Sequence, residues 1–208
     1  MTFKLACVAA LSLLASGASA AVMDFETAST GGCQVSAGGS LDGFTFAGTS
    51  SGSTYSSGFN NTTSCSFLAP TAKSGSQFVT NYNSRLGGME HDTDVFSLNS
   101  LWVRADERVG ASTVEFIGYS GSLGSAIAYS MTVDITNVWS EVIFSGWDNL
   151  KSFAWDAISP GSSNISIDDI TYVTGSPAAV PLPAGLPLLL AGLGAIGVAG
   201  RRQKARKA

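Results

Sequence analysis

Ser112-Thr-Val-Glu-Phe-Ile-Gly-Tyr119, then the turn Ser120-Gly-Ser-Leu-Gly124, then Ala126-Ile-Ala-Tyr-Ser-Met-Thr-Val-Asp-Ile135 decides the fold. Polar and apolar residues alternate on both sides of a turn built from glycine and serine. That period of two belongs to a half-buried β-strand and does not fit a helix. The same reading works outward along the chain. It predicts strands at Val22–Glu26, Gly43–Ala47, Gln77–Tyr82, Val95–Arg104, Ser140–Phe144, Leu150–Asp156 and Ile165–Val173. Further turns fall at Gly146-Trp-Asp-Asn149 and Ser159-Pro-Gly-Ser-Ser-Asn164, rich in residues that tolerate tight backbone. The Ser, Gly, Thr and Asn-rich stretch from Thr49 to Ser64 reads as a long surface loop. Many short strands with polar turns predict an all-β domain, an antiparallel β-sandwich of jelly-roll type.

The last strand is irregular. Ile165 and Ile167 have one parity, Ile170 and Tyr172 the other. A strict alternation cannot bury all four, so a β-bulge is expected at Asp168-Asp169.

Both ends of the chain read as export signals. Lys4, the apolar run Leu5–Leu14 and the small residues Ala18-Ser19-Ala20 follow the order of a secretory signal peptide, with cleavage expected after Ala20. Near the other end, residues 182–200 carry no charge, and their 19 residues as helix would reach about 28 Å, close to the bilayer's hydrocarbon thickness of about 30 Å. Five cations follow, Arg201, Arg202, Lys204, Arg206 and Lys207. Cations stay on the cytoplasmic side, so the bulk of the chain is expected outside. The organisation predicted is a signal peptide (1–20), an outer domain (21–176) and a C-terminal tail with one transmembrane helix (177–208).

Residues 21–179 hold 5 of the 11 Lys and Arg but all 15 Asp and Glu, a formal charge of −10. Such a surface repels phosphate backbones and excludes nucleic acid as a partner. It suits cation binding or plain solubility. Cys7 would leave with the signal peptide, so Cys33 and Cys65 remain as an even pair in an oxidising compartment, where a disulfide is expected.

Val180-Pro181-Leu182-Pro183-Ala184, the apolar span and Arg201-Arg202 together resemble the VPLPA branch of the PEP-CTERM sorting tails. The resemblance covers the final 29 residues. It implies recognition by exosortase, a membrane-embedded processing enzyme, in a Gram-negative host that makes extracellular polysaccharide. The precursor is then expected in the inner membrane with its C-terminus inside, and the product in the envelope or outside the cell.

The outer domain carries a second resemblance. Asp24-Phe25-Glu26 opens it, Phe96-Ser-Leu-Asn-Ser-Leu-Trp102, Phe116-Ile-Gly-Tyr119 and Leu150-Lys-Ser-Phe153 follow, and Ile167-Asp-Asp-Ile170 closes it. This is similar to carbohydrate-binding jelly rolls that begin with Phe-Glu and end on an Asp-Asp strand. The resemblance implies a structural Ca²⁺ between first and last strands, held by Glu26 with Asp168 and Asp169. Carboxylate and carbonyl oxygens are the ligands this ion prefers.

Catalytic signals are thin. His91 is the sole histidine, in Glu90-His-Asp-Thr-Asp94, which reads as a hydrated loop before the Val95 strand. No G-x-S-x-G occupies a strand-to-helix turn. Of four tryptophans, Trp147 in its polar turn is the one expected to be exposed, a platform on which a sugar could stack. The sequence therefore predicts an exported, non-enzymatic protein whose outer domain is structural or binding. A carbohydrate-binding module for extracellular polysaccharide is the alternative, and a secreted glycan hydrolase the second.

Overall fold

A computed structural model describes residues 19–28, 33, 38–47, 54–81, 85–159 and 164–175. The signal-peptide core, the VPLPA motif, the apolar span and the basic end lie outside the described residues. Among the described residues no helix is long and apolar enough to cross a membrane.

Among the described residues twelve strands form two sheets, where the alternation predicts nine strands of an antiparallel sandwich. They are β1 (Ala21–Met23), β2 (Gly39–Leu41), β3 (Phe44–Phe46), β4 (Ser57–Asn61), β5 (Gln77–Asn81), β6 (Gly87–His91), β7 (Phe96–Ala105), β8 (Ala111–Tyr119), β9 (Ile127–Thr136), β10 (Ser140–Leu150), β11 (Ser152–Ser159) and β12 (Ile165–Thr174). The first sheet runs β10-β7-β12-β5-β4, with β1 also on β12. The second runs β2-β3-β6-β11-β8-β9. Every strand pairing is antiparallel.

The core between the sheets is aromatic. Phe44, Phe96, Phe116, Phe153 and Trp155 are fully buried. Their rings meet mainly edge to face, as Phe44 does with Phe96 at 5.0 Å and Phe116 with Phe144 at 5.4 Å. That geometry places positive ring edges on negative faces and adds to the gain from area burial. Gly87 is required here. A Cβ at that position would sit 1.9 Å from the Trp155 indole.

Three expectations need correction. Residues 57–61, expected in a loop, form β4, because Phe59 reaches the core and β5 pairs with the segment along its length. Gly146-Trp-Asp-Asn149 is no turn: it lies within β10, where two register shifts absorb Gly146 (φ 73) and Asn149 (φ 57). Glu90 and His91 belong to β6 and leave only Asp92–Asp94 as loop, since Met89 between the sheets fixes the strand's phase.

The expected bulge in β12 is present. Its register on β7 shifts between Asp168 and Thr171, and Asp169 has φ 46. On the other edge, β12 pairs with β5 at Ser166–Ile167 and with β1 at Ile170–Tyr172. Asp168 and Asp169 thus occupy the gap between two strands that share one edge. Ile165, Ile167, Ile170 and Tyr172 all reach the core, which is what the bulge accomplishes.

Candidate functional site

Residues 62–76 form a strap over the outer face of the first sheet. Cys65, Leu68 and Ala69 pack on Phe78, with Phe67, Ala72 and Trp139 at the margin. The Cys33–Cys65 disulfide pins the strap, with a Cα–Cα distance of 5.0 Å. Trp139 Nε1 donates to the Thr71 carbonyl at 2.7 Å. Lys73 Nζ sits 3.7 Å above the Trp102 ring, a cation–π contact.

The three predicted metal-binding residues all grip the end of this strap. Glu26 Oε1 accepts the Ser76 and Gln77 N–H groups at 2.8 and 2.7 Å. Gly75, at φ 52, leaves room for that carboxylate. Asp168 Oδ2 accepts the Lys73 and Ser74 N–H groups at 2.9 and 3.2 Å, and its Oδ1 the Asp169 N–H. Ser74 Oγ donates to Asp169 Oδ1 at 2.6 Å. Asp168 is 0% exposed. Burial pushes its carboxyl up to about 7, although the backbone donors pull it down, and the neighbouring Asp169 charge adds to the rise. Gln77 Oε1 is buried without a hydrogen-bond partner. Among the described residues no three His, Cys, Asp or Glu side chains form a metal-ligating group. A cation here would draw on amide and carbonyl oxygens as well as carboxylates. Gln77 Oε1 is an acceptor without a donor, and the buried Asp168 carboxyl has backbone N–H donors but no ion-pair partner among the described residues.

Trp147 is not an exposed platform. It is 6% exposed, stacked on Tyr129 at 5.5 Å and set edge-on to Phe144 and Phe153. The polar residues around it made it look like a turn, but the β10 irregularity turns the indole inward. His91 is likewise structural. It is buried against Phe44, and its Nδ1 accepts the Asp94 N–H at 3.0 Å.

The outer face of the second sheet holds what the sequence reading did not single out. Phe153, Trp155 and Ala157 of β11 face the core, so Ser152, Ala154 and Asp156 face out. On β8, Val114 and Phe116 point in, while Glu115, Ile117 and Tyr119 point out. Register places Tyr119 opposite Ser152, Ile117 opposite Ala154 and Glu115 opposite Asp156. Glu90 of β6 stands on the far side of Ser152, and Ser130 and Thr132 of β9 beyond Ile117 and Glu115.

The centre of this face is apolar. Ile117, Tyr119 and Ala154 are buried there beneath Tyr55, Leu86 and Leu123. Gly88 lets Tyr55 and Leu123 lie down on the strands: a Cβ would meet their carbons at 3.1 and 2.9 Å. Tyr55 and Tyr119 join through their hydroxyls at 3.0 Å, and burial, then this bond, raises the Tyr119 phenol well above its ordinary value. Carboxylates flank the patch. Three have one oxygen held by a hydroxyl: Ser122 donates to Glu90 at 3.0 Å, Ser130 to Glu115 at 2.7 Å and Thr113 to Asp134 at 2.7 Å. Asp156 is half-buried and its carboxyl is raised, first by burial, with the Ala157 N–H opposing and the facing Glu115 charge adding. The two ion pairs among the described residues, Arg104–Glu107 and Arg108–Asp106, lie elsewhere. Like charges in direct register cost a sheet stability.

No protein-family model matches the chain, and no curated protein does. Solved structures do resemble it. A DUF4465 family protein from Bacteroides caccae superposes with a TM-score of 0.50 at 12% identity, covering 75% of this chain and 99% of that one. The K2 cleaved adhesin domain of Lys-gingipain gives 0.47 at 11% identity, covering 74% and 99%. The family 11 carbohydrate-binding module of Clostridium thermocellum, solved with a β-1,3-1,4-mixed-linked tetrasaccharide, gives 0.39 at 11% identity, covering 76% and 96%. At these identities the likeness extends to the fold of the first and says nothing of what this chain binds. The chain is thus similar to the DUF4465 family protein in fold alone.

Proposed function

We propose that this is an exported cell-envelope or matrix protein whose sandwich binds extracellular polysaccharide on the outer face of the second sheet, without cutting it. One observation carries the reading: Tyr55 and Leu123 lie over Ile117, Tyr119 and Ala154 of the second sheet, with hydroxyl-held carboxylates on both flanks. A sugar ring has an apolar face and a rim of hydroxyls. Tyr55 supplies a surface for the former, and Glu90, Glu115 and Asp156 accept from the latter. Retention of the mature protein on the producer's exopolysaccharide, lost in Tyr55→Ala and without release of shorter chains, would support a binding module. Reproducible chain shortening would favour a glycan hydrolase instead.

Export and sorting belong to the same proposal. The tail would be read near Pro181–Ala184 by an exosortase-like enzyme after the leader is removed, and the span would hold the precursor in the inner membrane. Intact-mass analysis of the mature protein should show both ends removed. A mature species still ending at Ala208 would contradict it.

Calcium is the ion the strap clasp would take. Glu26, Asp168 and Asp169 would hold it, with Gln77 Oε1 as a neutral oxygen. Bound there, it would supply the positive charge that the buried Asp168 lacks and tie β1, β12 and the strap together. Chelation should then lower the melting temperature, and an unchanged curve in chelator would count against the ion.

A further inference from the structure

Carboxylates stand on both flanks of the Tyr55 patch. Glu90 closes one end; Asp156 and Glu115 face each other in register at the other, with Asp134 beyond. Of the domain's five cations, Arg104 and Arg108 pair with Glu107 and Asp106 and Lys73 lies over Trp102, while Arg85 adjoins Leu86 and Lys151, next to Ser152, donates to the His91 carbonyl; the carboxylates are most concentrated at the Asp156–Glu115 end. A neutral sugar needs acceptors and donors in mixture, because its hydroxyls both give and take hydrogen bonds. Polar side chains do lie nearby, but Ser122, Ser130 and Thr113 spend their protons on the carboxylates, leaving a face that mainly accepts. A polyuronate or sulfated glycan would bring negative charge against this row and be repelled. The partner that fits is one whose rim donates and carries positive charge.

Resting on the polysaccharide reading above, we infer that the second-sheet face takes a glycan bearing free amino groups, a polymer of wholly or partly deacetylated hexosamine. An ammonium group on the sugar ring has three donors and no acceptor, which matches a site of oriented acceptors. Set between Asp156 and Glu115, it would relieve the repulsion of two like charges held side by side by the strands. The pyranose ring would lie against Tyr55, with Glu90 receiving the next residue's donors. The in-register carboxylate pair, unfavourable for the free sheet, then has a use that a purely structural face would not give it.

The test compares the mature protein's affinity for four probes at low salt and about pH 6, where an amino group is protonated and most carboxylates are ionised. They are chitosan oligosaccharide, its fully N-acetylated counterpart, alginate and a neutral dextran. The expected order puts chitosan first and alginate unbound. Glu115→Gln and Asp156→Asn should each weaken chitosan binding about ten-fold, the worth of one charge-assisted hydrogen bond. Neither should lower the melting temperature, since each removes a like-charge contact. Glu141→Gln and Asp42→Asn, exposed acids elsewhere on the domain, should change binding little. Equal loss in all four variants would mean bulk attraction of a polycation to an acidic protein and would overturn the inference. Equal affinity for chitosan and its acetylated form, insensitive to Glu115 and Asp156, would overturn it while leaving polysaccharide binding intact. Failure to bind any glycan, the producer's own included, would bring down the polysaccharide reading itself.

Discussion

Asp168 gives the strap a pH dependence of unusual sign. Its carboxyl is fully buried and pushed up to about 7 from 3.8. Between those values the folded state holds a proton that the unfolded chain has lost, so stability must fall as pH rises through the window. Below it both states are protonated; above it both are ionised and the full cost is present. A gap of about three pKa steps corresponds to about 4 kcal/mol at most. Asp156 and Tyr172 are raised as well, so the measurement is the difference between wild type and Asp168→Asn. The asparagine cannot accept both the Asp169 N–H and the strap N–H groups, which should cost about 1–3 kcal/mol at pH 5. At pH 8 that deficit should shrink or reverse, because the wild type alone carries a buried charge. Urea unfolding of both proteins in chelator from pH 4 to 8 reads this directly. Saturating Ca²⁺ should flatten the wild-type slope, since a cation favours the ionised form. Parallel profiles for the two proteins in chelator would refute the reasoning.

Three further outcomes follow from the geometry. Reducing Cys33–Cys65, which closes 32 residues, should lower stability by about 3–4 kcal/mol on the chain-entropy account, read as a drop in the urea midpoint on adding reductant. Gly87→Ala should destabilise by about 1–3 kcal/mol or more, because its methyl would collide with the Trp155 indole; differential scanning calorimetry against Ala154→Gly gives the comparison. Tyr119 should titrate at higher pH than other tyrosines in an ultraviolet pH titration, and Tyr55→Phe should bring it down part of the way, leaving the share due to burial.

Local alternation made most of this fold legible. Long strands such as β8 and β9 declare themselves because every second residue faces the core. The β12 bulge was legible for the same reason, since four apolar residues on two parities admit no other burial. Short strands were not. β4 and β6 carry glycine, serine and asparagine and are held by neighbours distant in sequence, and β2 is only three residues long, so nothing local marks them. Trp147 misled for a related reason: Gly146 and Asn149 signal a turn, yet their positive φ values serve an irregularity inside one strand. Glu26 binds the strap at Ser76–Gln77 and Asp168 and Asp169 bind it at Lys73–Ser74, partners that lie about 50 or 95 residues away in the chain. The second-sheet face could have been found from Glu115, Ile117 and Tyr119, the outward parity of the very run that decided the fold. What the alternation could not give is register, which alone sets Asp156 against Glu115.

The most direct measurement of where this protein meets polysaccharide is hydrogen–deuterium exchange of the mature form with and without the producer's exopolysaccharide. Slowed exchange is predicted in the 120–125 turn, around Tyr55 and in the outer ends of β8 and β11, with the strap at residues 62–76 unchanged. Protection confined to the strap and first sheet, or none at a concentration where the protein is demonstrably retained, would contradict the assignment of the second-sheet face.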